Sequence, residues 1–189
     1  MPAPEVRELK IPGVLVITPP KFGDHRGFFS ETYNKAHLAE AGISCEFVQD
    51  NQSRSAVPGT LRGLHFQHGA SVQAKLVRVL RGSIFDVAID IRKGSPTFGE
   101  WVGAEISESN WSQIYIPRGF AHGFMTLEPD TEVAYKVDSP YDPDREAGIM
   151  WNDPDLAIDW PLNGLTPVLS DKDAKNPAFA ATPDYFEFD

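Results

Sequence analysis

Turn-forming residues interrupt the apolar segments of this chain at short intervals, and this pattern limits the folds that it can adopt. Most segments alternate apolar with polar side chains, are rich in β-branched and aromatic residues, and end at turn-forming residues, which is typical of strands. The predicted strands are 13–19, 45–53, 73–82, 83–92, 100–107, 111–117 and 131–139. Strands spaced roughly 8–12 residues apart predict a mainly β fold, a sandwich or a barrel.

Residues 34–42, NKAHLAEAG, are predicted as a helix that interrupts this series of strands. Asn34 is a suitable N-cap because its side chain can accept hydrogen bonds from the first turn, and Gly42 suits the end of the helix. A second, shorter helical start is predicted within 169–179. Residues 108–110 are predicted to connect the two strands beside them as a hairpin.

Composition and charge exclude several classes of protein. The length predicts one domain over residues 1–189, and a net charge of -10 opposes nonspecific binding to nucleic acid. No segment approaches the ~20 apolar residues that cross a bilayer, and the first residues lack the apolar run of a signal peptide. Cys45 is the single cysteine, which excludes an internal disulfide and a multi-thiolate zinc site. We expect a cytoplasmic protein without membrane or nucleic-acid partners.

His65, His68 and His122 are the first candidates for metal ligands. Residues 116–124, IPRGFAHGF, resemble the second half of the cupin signature, which supports a cupin-type jelly roll. Metal-binding cupins carry a first motif of His-x-His followed by a carboxylate, whereas residues 65–68 read HFQH. Positions i and i+3 of a strand point to opposite faces, so His65 and His68 are not expected to share an ion. The sequence therefore predicts a fold of this type without a metal.

Two polar side chains, Lys75 and Tyr135, lie on apolar faces of predicted strands. Lys75 shares its face with Val77 and Val79. Its ammonium is either buried, where it needs a partner or loses its proton, or it extends past the valines at a sheet edge. Tyr135 lies between two valines and is either a core residue with a hydrogen-bonded hydroxyl or a general acid or base at a cavity wall.

Arg62, His65 and Asp173 each have a structural alternative to a functional role. Strict alternation places Arg62 and His65 on opposite faces of their strand, unless a bulge at Gly63 brings both to one face. Without the bulge they are an exposed arginine and a satisfied histidine. Asp173 lies three positions after Ser170, as in a capping box, and the helix cap is the structural explanation for this carboxylate.

Several segments that follow one another in the chain carry a resemblance to one enzyme family. They are FGDHRGFFSETY (22–33), FVQDNQSRS (47–55), LRGLHFQ (61–67), AKLVRVLRGSIFDVAIDIRKGSPTFGEWVG (74–103), IPRGFAHGFMTL (116–127), AYKV (134–137), WNDPDLAIDWP (151–161) and LSDKDA (169–174). Together they resemble the dTDP-4-dehydrorhamnose 3,5-epimerase family. The resemblance implies a jelly roll without metal or cofactor, a homodimer with strand exchange, and a dTDP-linked 4-keto-6-deoxy sugar as substrate.

The resemblance also implies roles for individual residues. His65 is the base, oriented by Asp173; Lys75 stabilises the oxyanion that develops at C4; and Tyr135 is the acid on the opposite face of the sugar. Arg62 grips the diphosphate. The residues that match substrate-binding positions of the family are Arg26, Glu31, Gln49, Asp50, Asn51, Arg62, His122, Tyr141, Glu146 and Lys172. The contacts of Arg26 and Glu31 can come from a partner chain.

Three alternatives stay open from the sequence. The segment DSPYDPDRE around Tyr141 differs from the commoner YY form, so inversion at C3 alone or C5 alone is an alternative to inversion at both carbons. A cupin metalloenzyme is the second alternative. The third is a module that binds a sugar nucleotide without catalysis.

Overall fold

Two antiparallel sheets form the body of the protein in the computed structural model, which describes residues 1–188. The strands are β1 (Glu5–Glu8), β2 (Leu15–Thr18), β3 (Lys21–Asp24), β4 (Gly27–Ser30), β5 (Gln49–Ser55), β6 (Leu61–Gln67), β7 (Lys75–Arg81), β8 (Ser83–Asp90), β9 (Arg92–Lys93), β10 (Trp101–Ser107), β11 (Gln113–Ile116), β12 (Phe120–Thr126), β13 (Thr131–Val137), β14 (Glu146–Gly148) and β15 (Phe186–Glu187). The first sheet has the order β1-β2-β11-β7-β13-β5, and the second has the order β10-β8-β12-β6-β14. The mainly β prediction is confirmed.

The main core lies between the two sheets. Val77 and Ile114 of the first sheet pack there against Ile84 and Ala88 of the second. Strand β8 is apolar on its other face as well, where Val87 lies in a second cluster beneath the C-terminal segments. Burial on both faces explains why this strand reads as a nearly continuous apolar run. No helix within residues 1–188 is long and apolar enough to span a bilayer.

The predicted helix is confirmed as α1 (Lys35–Glu40). The Asn34 side chain accepts hydrogen bonds from the backbone N–H groups of Ala36 and His37, at 3.0 and 3.3 Å. Gly42 follows the helix with a φ of +85°, a conformation that suits glycine. The helical start within 169–179 is present as two short 3-10 turns, Asp173–Lys175 and Phe179–Ala181.

The predicted hairpin around residues 108–110 is wrong. Strand β10 pairs with β8 in the second sheet, whereas β11 pairs with β2 and β7 in the first. The connection therefore crosses from one sheet to the other. The Asn110 side chain accepts hydrogen bonds from the N–H groups of Ser107 and Ser112, which turns the chain between the layers. The strand predicted over 45–53 also begins later, at Gln49.

The β3–β4 hairpin stands outside both sheets. Phe22, Phe28 and Phe29 on it are 47%, 58% and 63% exposed. Phe28 contacts the Trp111 ring edge to face, with 4.8 Å between the centroids. The hairpin therefore presents apolar side chains to its surroundings, although Phe28 packs against the connection that precedes β11.

Candidate active site

A bulge in β6 decides which side chains of this strand face the space between the sheets. His122 of β12 is opposite His65, but Phe124 is opposite Arg62, so three steps on β6 match two steps on β12. Gly63 lies in the extra step with a φ of +131°, and a Cβ there would be 2.6 Å from the Cα of Gly123. The departure from alternation predicted at Gly63 is confirmed.

The bulge separates the side chains of β6 into two groups. Leu61, Leu64 and Phe66 pack into the apolar cluster on the outer face of the second sheet. His65 faces inward and lines a cavity. The Arg62 guanidinium donates to Ser55 Oγ at 3.3 Å, and its charge acts on the Tyr135 hydroxyl at the wall of the same cavity. Arg62 and His65 are therefore brought to one side.

Asp173 lies beside His65, with 2.5 Å between its carboxylate and Nε2 of the imidazole. A carboxylate only accepts hydrogen bonds, so Nε2 carries the proton and Nδ1 keeps the free lone pair. Burial raises the pKa of Asp173, but hydrogen bonds from His65 and Ser170 and from the backbone of Gly63 outweigh it and lower the pKa overall. Ser170 Oγ also accepts from the backbone N–H of Asp173 at 3.1 Å. One of the two hydrogen bonds of the predicted capping box is therefore present beside the His65–Asp173 pair.

Lys75 begins β7 and extends into the cavity, beside the fully buried Val77. Burial lowers the pKa of its ammonium to about 8, while the charges of Asp86 and Glu146 raise it. Strand β7 lies inside the first sheet, between β11 and β13, so the alternative of a solvated lysine at a sheet edge is wrong. The lysine is a cation in a poorly solvated place.

Tyr135 lies on β13 between two buried valines and lines the same cavity. Burial raises the pKa of its phenol; the charge of Arg62 opposes this effect and that of Glu146 adds to it. Its hydroxyl has no hydrogen-bond partner within residues 1–188, in contrast to a satisfied core tyrosine. The side chain is a protonated phenol that is available to a ligand at neutral pH.

The cavity has a volume of about 250 Å³. The predicted residues that line it are Gln49, Asn51, His65, Lys75, Tyr135, Tyr141 and Glu146. Gln67 and Gln73 also line it and were not found by sequence reasoning. Each holds a main-chain carbonyl with its amide, Gln73 that of Ser139 at 2.7 Å, so they shape the wall.

Glu146 connects the predicted residues at the rim. Tyr141 donates its hydroxyl to Glu146 Oε2 at 2.7 Å, and Lys172 forms an ion pair with the same oxygen. The backbone N–H of Tyr141 donates to Gln49 at 3.0 Å. Burial raises the pKa of Glu146, but the hydrogen bonds from Lys172 and Tyr141 outweigh it and lower the pKa overall.

Three predicted residues lie away from this cavity. Arg26 is on the exposed β3–β4 hairpin and pairs with Asp24 at 2.5 Å. Glu31 accepts from Asn34 at 2.9 Å. Asp50 is paired with Lys136 at 2.7 Å and lines a second cavity, of about 430 Å³, against the first sheet. Within a single chain these three side chains lie away from His65, so their role in binding stays a prediction.

Sequence reasoning missed Asp86 of β8. Its carboxylate is fully buried and accepts from Nε2 of His122, with 3.0 and 2.9 Å to its two oxygens. Burial lowers the pKa of His122, and the charges of Lys75 and His65 lower it further. Asp86 raises this pKa, but its effect is smaller, so the pKa is lowered overall. The signal in the sequence was an aspartate within the apolar strand SIFDVAID.

His68 does not join the other histidines. Its ring stacks on that of Tyr185, with 4.2 Å between the centroids. Within residues 1–188, no three His, Cys, Asp or Glu side chains are grouped so that they could hold a metal ion. The expectation of a protein without metal or cofactor stays a prediction.

Comparison with known proteins identifies the family of this chain. A sequence model of the family described as dTDP-4-dehydrorhamnose 3,5-epimerase matches residues 8–181. The chain belongs to this family. It is 53% identical over 173 residues to the dTDP-4-dehydrorhamnose 3,5-epimerase of Pseudomonas aeruginosa, which covers 91% of this chain and 94% of that protein. The resemblance inferred from the sequence and the epimerase class of activity are confirmed.

Two solved structures of epimerases extend the comparison. The dTDP-6-deoxy-D-glucose-3,5-epimerase of Legionella pneumophila, in complex with dTDP-4-keto-L-rhamnose, has a TM-score of 0.94 and is 45% identical over 98% of this chain and 99% of that one. A 3'-monoepimerase of Streptomyces bikiniensis, in complex with dTDP-quinovose, has a TM-score of 0.85 and is 34% identical over 91% of this chain and 86% of that one. The same fold therefore serves epimerases of more than one specificity.

Proposed function

We propose that this epimerase inverts C3 and C5 of dTDP-4-dehydro-6-deoxy-D-glucose, forming dTDP-4-dehydro-L-rhamnose for the biosynthesis of dTDP-L-rhamnose. The observation that carries this proposal is the arrangement in one cavity of a histidine–carboxylate pair, a poorly solvated ammonium and a free phenol. These are the three groups that removal and return of a proton beside a ketone require. Family membership supplies the substrate class.

Proton removal is the task of His65. C3 and C5 both flank the C4 ketone, so loss of a proton from either carbon leaves an electron pair that delocalises onto the C4 oxygen. Nδ1 of His65 takes this proton, and the carboxylate of Asp173, 2.5 Å from Nε2, stabilises the imidazolium that forms. The pair also fixes the tautomer, so the basic nitrogen is always the same one.

The negative charge on the C4 oxygen is balanced by Lys75. A fixed positive charge stabilises an enolate more strongly in a poorly solvated cavity than in water. Because burial lowers the pKa of Lys75 only to about 8, with Asp86 and Glu146 opposing the shift, most of this side chain stays an ammonium at neutral pH.

Tyr135 completes the inversion. Its raised pKa keeps the phenol protonated at neutral pH. The phenol gives its proton to the carbon from the face opposite His65, the enolate electrons form the new C–H bond, and the C4 ketone returns. Solvent then reprotonates the phenolate and removes the proton from His65, so the same two residues can act at the second carbon.

The nucleotide is held at the mouth of the cavity. The guanidinium of Arg62 suits the diphosphate, because it offers two parallel N–H donors to phosphate oxygens. Gln49 and Asn51 line the cavity as amide donors and acceptors. We assign Asp50, His122, Tyr141, Glu146 and Lys172 to substrate binding as well, on the match to the family.

Arg26 and Glu31 are assigned to the site of a partner subunit. The exposed phenylalanines of the β3–β4 hairpin, beside Arg26, favour a homodimer in which this segment contacts the partner. The enzyme is proposed to act in the cytoplasm as a homodimer with strand exchange.

Inversion at a single carbon is the second candidate, and the 34% identity to a 3'-monoepimerase favours keeping it. The test is incubation with dTDP-4-dehydro-6-deoxy-D-glucose in deuterated water, followed by NMR of both carbons. Deuterium at C3 and C5, with formation of a product that a coupled reductase consumes, is the expected result. Deuterium at one carbon only would refute double epimerisation, and no deuterium at either would indicate a binding module without catalysis.

A further inference from the structure

The site contains two histidine–carboxylate pairs on neighbouring strands. His65 and His122 are cross-strand partners on β6 and β12. His65 is bonded to Asp173, and His122 is bonded to Asp86. The first pair is the proton-transferring dyad of the proposed function, whereas Asp86 of the second pair takes no direct part in the proposed proton transfer.

Asp86 is poorly satisfied for a buried carboxylate. It is fully buried, and within residues 1–188 its side chain accepts only from Nε2 of His122, although a carboxylate has about four acceptor sites. Asp90, equally buried on the same strand, accepts from Arg92, Ser95 and Thr97 at 2.6 to 3.0 Å. A buried anion with one donor needs a nearby cation to balance its charge.

Lys75 is that cation. Lys75 lies on the face of β7 that carries Val77 and Val79, and Asp86 lies on the face of β8 that carries Ile84 and Ala88. Both faces enclose the core between the sheets, so the two side chains point into the same space. The charge of Asp86 acts on the Lys75 ammonium, which has no hydrogen bond or ion pair with any residue from 1 to 188. The ionisable groups that face Lys75 are Asp86 on β8, Glu146 on β14, His122 on β12, His65 on β6, Tyr135 on β13 and Tyr141 before β14. Among them only Asp86 and Glu146 are carboxyl groups, and Glu146 is already paired with Lys172.

We propose that Asp86 is a positioning residue that orients His122 and keeps Lys75 positively charged beside the C4 oxygen of the substrate. This inference rests on the proposed function and adds to it a residue that does not touch the substrate. Burial alone would drive the proton from Lys75, because an ammonium is poorly stabilised away from water. The unbalanced charge of Asp86 opposes that loss, and the hydrogen bond to His122 holds the carboxylate in place.

The direction of the pH effect follows from these charges. The wild-type pKa of Lys75 is about 8. Removing the charge of Asp86 lowers the pKa of Lys75 further, so Lys75 becomes neutral at a lower pH. The alkaline limb of the pH profile, which is the fall of kcat/KM as pH rises, therefore moves to lower pH. An opposite charge close to an ionisable group changes its pKa by about 1–3 units, so a downward shift of this order is expected. His122 is neutral already, because burial lowers its pKa, so its state does not change.

The experiment compares Asp86→Asn, Asp86→Glu and Asp90→Asn with the wild type by proton exchange between pH 5 and 10. Asn keeps an acceptor for His122 but not the charge, so its alkaline limb should move down by about 1–3 pH units. Glu keeps the charge, and its limb should stay near that of the wild type. Asp90→Asn also removes a buried carboxylate and is the control, which lowers stability but leaves the limb in place.

Two results would overturn the inference. One is a folded Asp86→Asn enzyme with an unchanged alkaline limb, and the other is an equal shift in Asp90→Asn. If Asp86→Asn does not fold, ¹³C NMR of the wild type tests the same point, since the carboxyl carbon of Asp86 must respond at the midpoint where Lys75 loses its proton. If the carboxyl carbon does not respond there, the inference is refuted as well. A wild type without any exchange would instead refute the proposed function, so the two failures are distinct.

Discussion

Replacement of Gly63 by alanine tests whether the bulge in β6 builds the active site. Gly63 has a φ of +131°, where a residue with a Cβ costs about 1–3 kcal/mol. The new Cβ would also be 2.6 Å from the Cα of Gly123 and 2.9 Å from the carbonyl oxygen of His122. Both are backbone atoms, so the strands must separate, and overpacking of this kind costs about 1–3 kcal/mol. The two costs add to a loss of about 2–6 kcal/mol in the free energy of unfolding.

This loss is large, since natural domains have about 5–15 kcal/mol of stability in total. Gly164→Ala is the matched control, because Gly164 also has a positive φ, +84°, but no atom within 4 Å of its added Cβ. It should lose only the conformational cost of about 1–2 kcal/mol. Denaturant unfolding of both variants measures the difference, which is the cost of pushing β6 away from β12.

Catalysis provides the second measurement on the same variant. Separation of β6 from β12 moves His65 relative to Asp173 and His122, so the folded Gly63→Ala protein should exchange substrate protons at least about 10-fold more slowly, equivalent to about 1.4 kcal/mol in the barrier. Gly164→Ala should exchange at the wild-type rate. Equal stability of the two variants, together with wild-type exchange in Gly63→Ala, would refute the role assigned to the bulge.

Three further predictions concern the proposed chemistry. His65→Asn should abolish deuterium incorporation at both C3 and C5, as measured by NMR, while dTDP still binds; exchange at either carbon would contradict a single base. Tyr135→Phe should slow the completed inversion more than the initial removal of the proton, and wild-type turnover would show that its role as acid is wrong. Activity of the wild type should fall as pH rises through about 8, because Lys75 then loses the proton that stabilises the oxyanion. A rate of exchange that stays constant up to pH 10 would argue against this role of Lys75.

Several site residues could be found from the sequence only through the family resemblance. Alternation placed Lys75 and Tyr135 on apolar faces, but could not distinguish a solvated edge from a cavity wall. Both side chains do line the cavity with His65. Asp86 was missed, because an aspartate within an apolar strand shows that a partner is needed but not which residue provides it. Here the partner is His122, 36 residues later in the chain.

The sequence by itself determined the mainly β class, the helix α1 with its Asn34 cap, and the need for special backbone geometry at Gly63. These features depend on side-chain alternation, capping and conformational freedom, which act between residues close in the chain. Only the tertiary structure decided that β10 and β11 belong to different sheets and that Asp173 meets His65. The reason is that sheet pairing and the His65–Asp173 contact, 108 residues apart in the chain, are set by how the layers pack, and no local pattern records that packing.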